Sequence, residues 1–241
     1  MSHFYNKNGQ NVFEIVGANG RKRKPNIRDA RKHGYIPSVT TILGILSAPE
    51  LERWKIGQVM EATRNNPKGS YQDIMDVAFK KSNTALDFGN SLHKWLESLL
   101  KKTFDFDTAL IPQKTKNALT DHFMEHLSDV LASEKAIVMP KYAGTPDLVC
   151  LLKDGRRCVY DFKNQGSKDG KFKYYEKYLL QASAYAKATQ SDCFRILNVS
   201  RDEPGIIEFK EFSGKDMDDC YNMFDACCTM YYLRNKLEAL Q

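Results

Sequence analysis

Two apolar runs joined by one short turn constrain this chain more than any other feature. Residues 144–166 read GTPDLVCLLKDGRRCVYDFKNQG, and the runs PDLVCLLK and RCVYDFK are apolar on both alternating faces. Strands of this kind belong to a sheet covered by helices on each side. Asp147, Asp161 and Lys163 nevertheless border or interrupt them, and the connection LLKDGRR decides which of these share a face. A two-residue Asp154-Gly155 turn pairs Leu148 with Asp161 and leaves Asp147 on the opposite side. A three-residue loop, Lys153 to Gly155 with Gly155 left-handed as a bulge, instead pairs Asp147 with Asp161. Lys163 follows Asp161 by two residues and faces the same way.

In the second register the two carboxylates stand about 5 Å apart and repel unless a cation or proton offsets them. A divalent metal is the simple remedy, and oxygen ligands of this type favour Mg²⁺ or Mn²⁺. Lys163 would then point at a phosphate bound there, stabilising charge or orienting an attacking water. The plainer alternative is an Asp161–Lys163 ion pair near a sheet edge, with Asp147 capping a turn.

The hydrophobic period places this hairpin in a larger order. FYNKNGQNVFEIV has Asn-Gly between β-prone runs and predicts an N-terminal hairpin. Helical spacing follows in IPSVTTILGILSAP with Ser38 as N-cap, in LERWKIGQVMEAT after Pro49, and in YQDIMDVAFKK, ALDFGNSLHKWLESLLKK and KNALTDHFMEHLSDVLAS. After Glu134 five short strands are predicted: AIVMPKY, PDLVCLLK, RCVYDFK, CFRILNVS and IIEFKEF. A helix over 173–189 separates the third from the fourth, and another follows Ser213. The expectation is one α/β domain with a mixed central sheet flanked by helices, a helical N-terminal half and a helical insertion at about 49–85.

Composition excludes several classes. No apolar stretch of the 241 residues is long enough to span a bilayer. The start lacks the basic-then-apolar layout of a secretory signal, so an intracellular protein is expected. Cysteines 150, 158, 193, 220, 227 and 228 form no CxxC pair and read as reduced thiols in apolar positions. His122 and His126 share a helical face, but no acid or thiol is placed to complete a zinc site, and a polar helix face is expected. The formal charge of +6 suits a phosphate-rich partner. RKRKPNIRDARKHG, residues 21–34, gathers seven Arg or Lys around one Asp, as a phosphate-contacting arm or a solvated loop would.

TPD at 145–147 followed by DFK at 161–163 resembles the PD-(D/E)XK nuclease signature. GNSLH with Gly89 and His93, Glu134 ahead of the strands, and QASAY with Gln181 and Tyr185 occur in the order seen in the RecB-like branch of that superfamily. With PSVTTIL at 37–43, LERWK at 51–55 and HKWLESLL at 93–100, the chain is most similar to the mitochondrial genome maintenance exonuclease and its phage relatives, over roughly residues 35–235. The hairpin and basic arm of residues 1–35 have no counterpart, so a nuclease domain over 36–241 is expected.

The resemblance implies a restriction-endonuclease-like core in which Asp147, Asp161, the Phe162 carbonyl and His93 hold one or two Mg²⁺ or Mn²⁺ ions and Lys163 is catalytic. Glu97, one turn beyond His93, is either its hydrogen-bond partner or a helix-surface acid. Gln181 and Tyr185, also one turn apart, are implied to orient the site and the substrate strand, against the alternative of a polar helix stripe. Glu134 has either a metal-site role or a salt bridge. Ser38, Thr40 and Thr41 offer hydroxyls and helix-start amides to a phosphate, although N-capping also accounts for Ser38. Arg53 and Lys55 flank Trp54 in a pairing suited to single-stranded nucleic acid, with burial in the helical core the expectation for Trp54. The implied activity is metal-dependent exonuclease cleavage of single-stranded DNA ends, in phage DNA replication, recombination or degradation, within the host cytoplasm. The alternatives are a duplex-end or structure-specific endonuclease and a catalytically silent DNA-binding protein.

Overall fold

A computed structural model describes residues 3–17, 19–103, 110–167 and 170–239. The chain opens with three two-residue strands, β1 (Phe4–Tyr5), β2 (Ile15–Val16) and β3 (Lys22–Arg23), of which β2 and β3 pair with each other. Asn6 to Gln10 turn back so that Val12 N donates to Phe4 O, as the Asn-Gly signal predicts. The basic stretch is neither arm nor loop but continues from β3 into a capped helix, α1 (Ile27–His33). Asn26 accepts from the Arg28 and Asp29 amides while the Asp29 carboxylate accepts from Asn26 N, a reciprocal box that satisfies the orphan donors of a short helix. Strand β4 (Ile36–Pro37) then pairs with β1.

Ser38 caps the four-residue α2 (Val39–Ile42), and a 3₁₀ turn follows at Leu43–Ile45. Helix α3 (Pro49–Asn65) starts on Pro49, whose missing N–H costs nothing at a first helical position, and packs against α4 (Tyr71–Lys101). Two helices were predicted where α4 runs unbroken. The polar 81–84 stretch suggests a break, but the Thr84 hydroxyl donates back to Lys80 O, so the residue rides within the helix.

Helix α5 (Gln113–His126) ends earlier than predicted, and Leu127–Ser133 forms an edge strand, β5, against the hairpin. Leu119, Phe123, Leu127 and Val130 keep a helical spacing, which conceals the change; two register shifts let β5 pair despite that spacing. The predicted strand AIVMPKY contributes only β6 (Ile137–Val138), which pairs with β7 (Ala143–Gly144) outside the main sheet. Then come β8 (Leu148–Leu152), β9 (Arg157–Gln165), α6 (Glu176–Ala188), β10 (Cys193–Ser200), β11 (Ile207–Ser213) and α7 (Gly214–Asn235).

The sheet order is β11-β10-β9-β8-β5, mixed because β9 and β10 run parallel across α6. One face packs Val159, Phe194 and Ile196 against α6 and α7 through Leu180, Phe224 and Cys228. The other packs Tyr160, Phe162 and Leu197 against α4 and α5 through Leu92, Leu96, Leu119 and Phe123. Each fully buried aliphatic or aromatic side chain here contributes about 1.5–3 kcal/mol, so the central strands are held from both sides. Cys150 stands opposite Cys158 and Cys158 opposite Cys193, all buried free thiols serving as small apolar residues.

Candidate metal centre

Leu152 N donates to Arg156 O at 2.8 Å, and Gly155 adopts a φ of 87°. The hairpin therefore takes the three-residue loop, with Leu148 opposite Tyr160 and Leu151 opposite Arg157. One further step along this register sets Asp147 opposite Asp161. Arg156 N and Nε both donate to the Asp154 carboxylate, which shapes the turn. Tyr160 lies in a hydrogen-bonded position of the ladder, so Phe162, two residues on, presents its N–H and C=O beyond the end of β8. Its N–H donates to Asp147 Oδ2 at 2.6 Å.

His93 enters from α4, with Nδ1 3.5 Å from Asp147 Oδ1 and 3.6 Å from Glu134 Oε1. Among the described residues, His93, Glu134 and Asp147 form the one group of three His, Cys, Asp or Glu whose ligand atoms all lie within 4.8 Å of one another. Glu134 holds this place at a φ of 49°, a left-handed conformation that glycine normally occupies, while its N–H donates to Asp147 O at 3.2 Å.

Asp161 is not in that trio. Its side chain is 2% exposed, and Lys163 Nζ lies 2.7 Å from Oδ2. The contact is a buried charge pair, and Lys163 is the one cation that the described residues bring to this oxygen. Lys163 is fixed from the helix side: Nζ donates to Gln181 Oε1 at 3.3 Å and sits 4.8 Å from the centre of the Tyr178 ring. Tyr178 was missed by sequence reading, although it stands three residues before Gln181 on the same face of α6. Tyr185, one turn beyond Gln181, is buried and closes on Gly144, where a Cβ would lie 2.6 Å from its ring. Tyr5 reaches the same loop through Thr145, hydroxyl to hydroxyl at 3.2 Å.

The electrostatics reflect crowding of acids in a dry place. Burial, reinforced by the Asp147 charge, pushes Asp161 up to about 6 against the pull of Lys163. Burial likewise raises Asp147. Burial opposes protonation of His93 and Lys163, but the acids around each outweigh it and hold both above their ordinary values. Three carboxylates against one lysine and one imidazole, with ligand atoms of His93, Glu134 and Asp147 within 4.8 Å of one another, fit a divalent cation held by that trio, with Asp161 beside it.

Several predicted residues stand elsewhere. Glu97 pairs with Lys101 rather than His93, because Glu four residues before Lys is a favourable helix pair while the His93 ring turns to the sheet. Ser38 Oγ accepts from Thr41 N and donates to Thr41 Oγ1, and Thr41 Oγ1 both accepts from His3 N and donates to His3 O. Their hydroxyls are committed to the fold, and Thr40 alone of the three is exposed. Arg53 and Lys55 are exposed on α3, and Trp54 is 41% exposed rather than buried, since α3 packs on α4 and away from the sheet. His122 and His126 acquire no third ligand among the described residues; His122 is buried against Tyr160.

No protein-family profile and no curated protein matches this chain. Among solved structures, the crystal structure of LHK-Exo in complex with dAMP aligns over 76% of this chain and 86% of its own, at 13% identity and a TM-score of 0.37. The crystal structure of SSO0001 aligns over 48% of this chain at 13% identity and a TM-score of 0.32, and the chain spans 55% of that protein's length.

Proposed function

We propose that this protein is a Mg²⁺- or Mn²⁺-dependent deoxyribonuclease of the PD-(D/E)XK superfamily, with its nuclease core within residues 36–241, acting as an exonuclease on single-stranded DNA ends. The observation that carries this reading is the three-residue hairpin register. It aligns Asp147 with Asp161 and Lys163 and sets them beside His93 and Glu134.

His93, Glu134 and Asp147 would hold the cation, and the Phe162 carbonyl, presented past the end of β8, is a further oxygen donor. When bound, the ion supplies positive charge to a phosphodiester and acidifies water. Lys163, kept protonated by Asp161 and Asp147, presents a hydrogen-bond donor and a full charge to the phosphate oxygens as negative charge develops. Gln181 and Tyr178 hold that ammonium in place, so little reorganisation is needed as the reaction proceeds. Helix α3, which carries Arg53, Trp54 and Lys55, packs against α4, the helix that delivers His93, and is the part suited to guide a thread of single-stranded DNA.

The test uses end-labelled linear and circular single-stranded DNA with Mg²⁺, Mn²⁺ or chelator, beside Asp161→Asn and Lys163→Ala variants whose folding is checked by circular dichroism. Metal-dependent loss of the linear strand alone, reduced at least about 100-fold in both variants, is the expected result. Equal activity in the variants would remove the centre from the reaction, and digestion of the circle would replace the exonuclease with an endonuclease.

A further inference from the structure

The charge of this protein is unevenly placed. Residues 21–34 hold seven of the 36 Lys and Arg and one of the 30 Asp and Glu, which leaves 29 of each elsewhere. The whole formal excess of +6 therefore resides in one folded element. Its single acid, Asp29, is buried and doubly bonded to Arg23 at 2.6 and 2.8 Å, which with the Asn26 box pins α1 on β3. Arg28, Arg31 and Lys32 follow at i, i+3 and i+4, so they form one stripe on the exposed side. None of the three makes an ion pair among the described residues. Beside the stripe, the exposed His33 ring stacks on Tyr35 at 5.4 Å and 24°.

We propose that this stripe and the His33–Tyr35 stack form a nucleic-acid-binding face distinct from the metal centre, which grips the backbone of a single strand while its end lies at the centre. Three unpaired cations on a rigid helix match successive phosphates, and the flat ring pair gives a base a surface to stack on. An acidic protein or a lipid surface would leave that ring pair unused. The face is also connected to the centre by a short path: Ser38 bridges to Ala143, four residues before Asp147. Extended chain lengths bound the Gly34 to Asp147 separation at about 35 Å, within the span of one oligonucleotide. The last step, that the gripped strand continues into the metal centre, rests on the nuclease reading; the grip itself does not.

The experiment measures binding of a fluorescent single-stranded 20-mer in chelator, so that nothing is cut, across a salt series. It compares the full chain with the Arg28→Gln/Arg31→Gln/Lys32→Gln variant, in which glutamine preserves helix propensity. The expected result is a salt slope shallower by about 2 and affinity lower by about 10- to 100-fold at 0.1 M salt. An abasic 20-mer should bind the unmodified protein more weakly than the normal strand, and His33→Ala should narrow that gap. An unchanged slope with affinity within twofold would overturn the proposal. So would comparable binding of poly-glutamate or phosphatidylserine vesicles with the same dependence on the stripe. Binding through the stripe without hydrolysis in Mn²⁺ would sink the nuclease reading alone, whereas hydrolysis with an unchanged slope would sink this face alone.

Discussion

Glu134 shows how a single residue can be placed against its own preference. A left-handed non-glycine backbone costs roughly 1 kcal/mol, and here the carboxylate that incurs it faces His93. Glycine at this position relieves the backbone and removes the candidate ligand, so the two effects separate. Glu134→Gly is expected to melt at or above the temperature of the unmodified protein while binding Mn²⁺ at least about 10-fold more weakly, as read by electron paramagnetic resonance titration. A loss of stability with unchanged Mn²⁺ affinity would make Glu134 a structural residue. At this scale the alignment of Asp147 with Asp161 and Lys163 was legible as one of two hairpin registers, because loop length fixes which residues share a face, whereas His93 was reached only through the resemblance of its GNSLH motif. Glu134 was ambiguous, since no periodicity reports a left-handed φ. Tyr178 was legible in principle, through its place one turn before Gln181, but an aromatic residue at helical spacing reads first as core.

At the scale of elements, the alignment of α4 against β9 determines where His93 arrives. Asn164 Nδ2 donates to Ala85 O at 2.7 Å, and Gly89, one turn on, leaves room for that side chain; a Cβ there would lie 3.2 Å from Nδ2. Alanine gains about 1 kcal/mol over glycine inside a helix, and crowding Asn164 offsets that gain. Gly89→Ala alone should therefore change stability by less than about 0.5 kcal/mol, yet stabilise an Asn164→Ala background by about 1 kcal/mol. Urea unfolding of the four members of this cycle measures the coupling, and additivity would show that the contact does not set the helix position. Period-based reading found α6, α7 and the strands β8 to β11 because each is packed on the face its pattern declares, and it found α3 although Leu51, Trp54, Ile56 and Met60 on that helix are exposed. It missed β5, whose helical spacing is overridden by the free edge of β8, and it split α4, whose polar middle is carried by a back-bonded hydroxyl. Both misses arise where a partner distant in sequence, or a bond invisible to pattern, outweighs local preference.

For the whole molecule, acid stability follows from groups on opposite faces of the sheet that titrate in opposite senses. His122 is packed against Phe123, Phe209 and Tyr160, its Nε2 3.2 Å from the Tyr160 hydroxyl to which Arg195 donates. Burial, with His126 and Arg195 adding positive charge, pulls it down to about 4 from an ordinary value of 6.5. The unfolded chain thus binds this proton more readily than the native one. The stability contributed is fully present above pH 6.5 and is lost as pH falls toward 4, by on the order of 3 kcal/mol. Asp161, raised to about 6, acts the other way: its native form gains stability as pH falls through 6, which masks the His122 effect in the unmodified protein. His122→Phe keeps a ring in the pocket and removes the titration while the Asp161 contribution stays common to both proteins. The difference in urea stability between variant and unmodified protein should therefore shift by about 3 kcal/mol in favour of the variant from pH 7 to pH 4. A difference independent of pH would mean that His122 is protonated in the native protein, and that the ring cluster beneath the sheet is open to water.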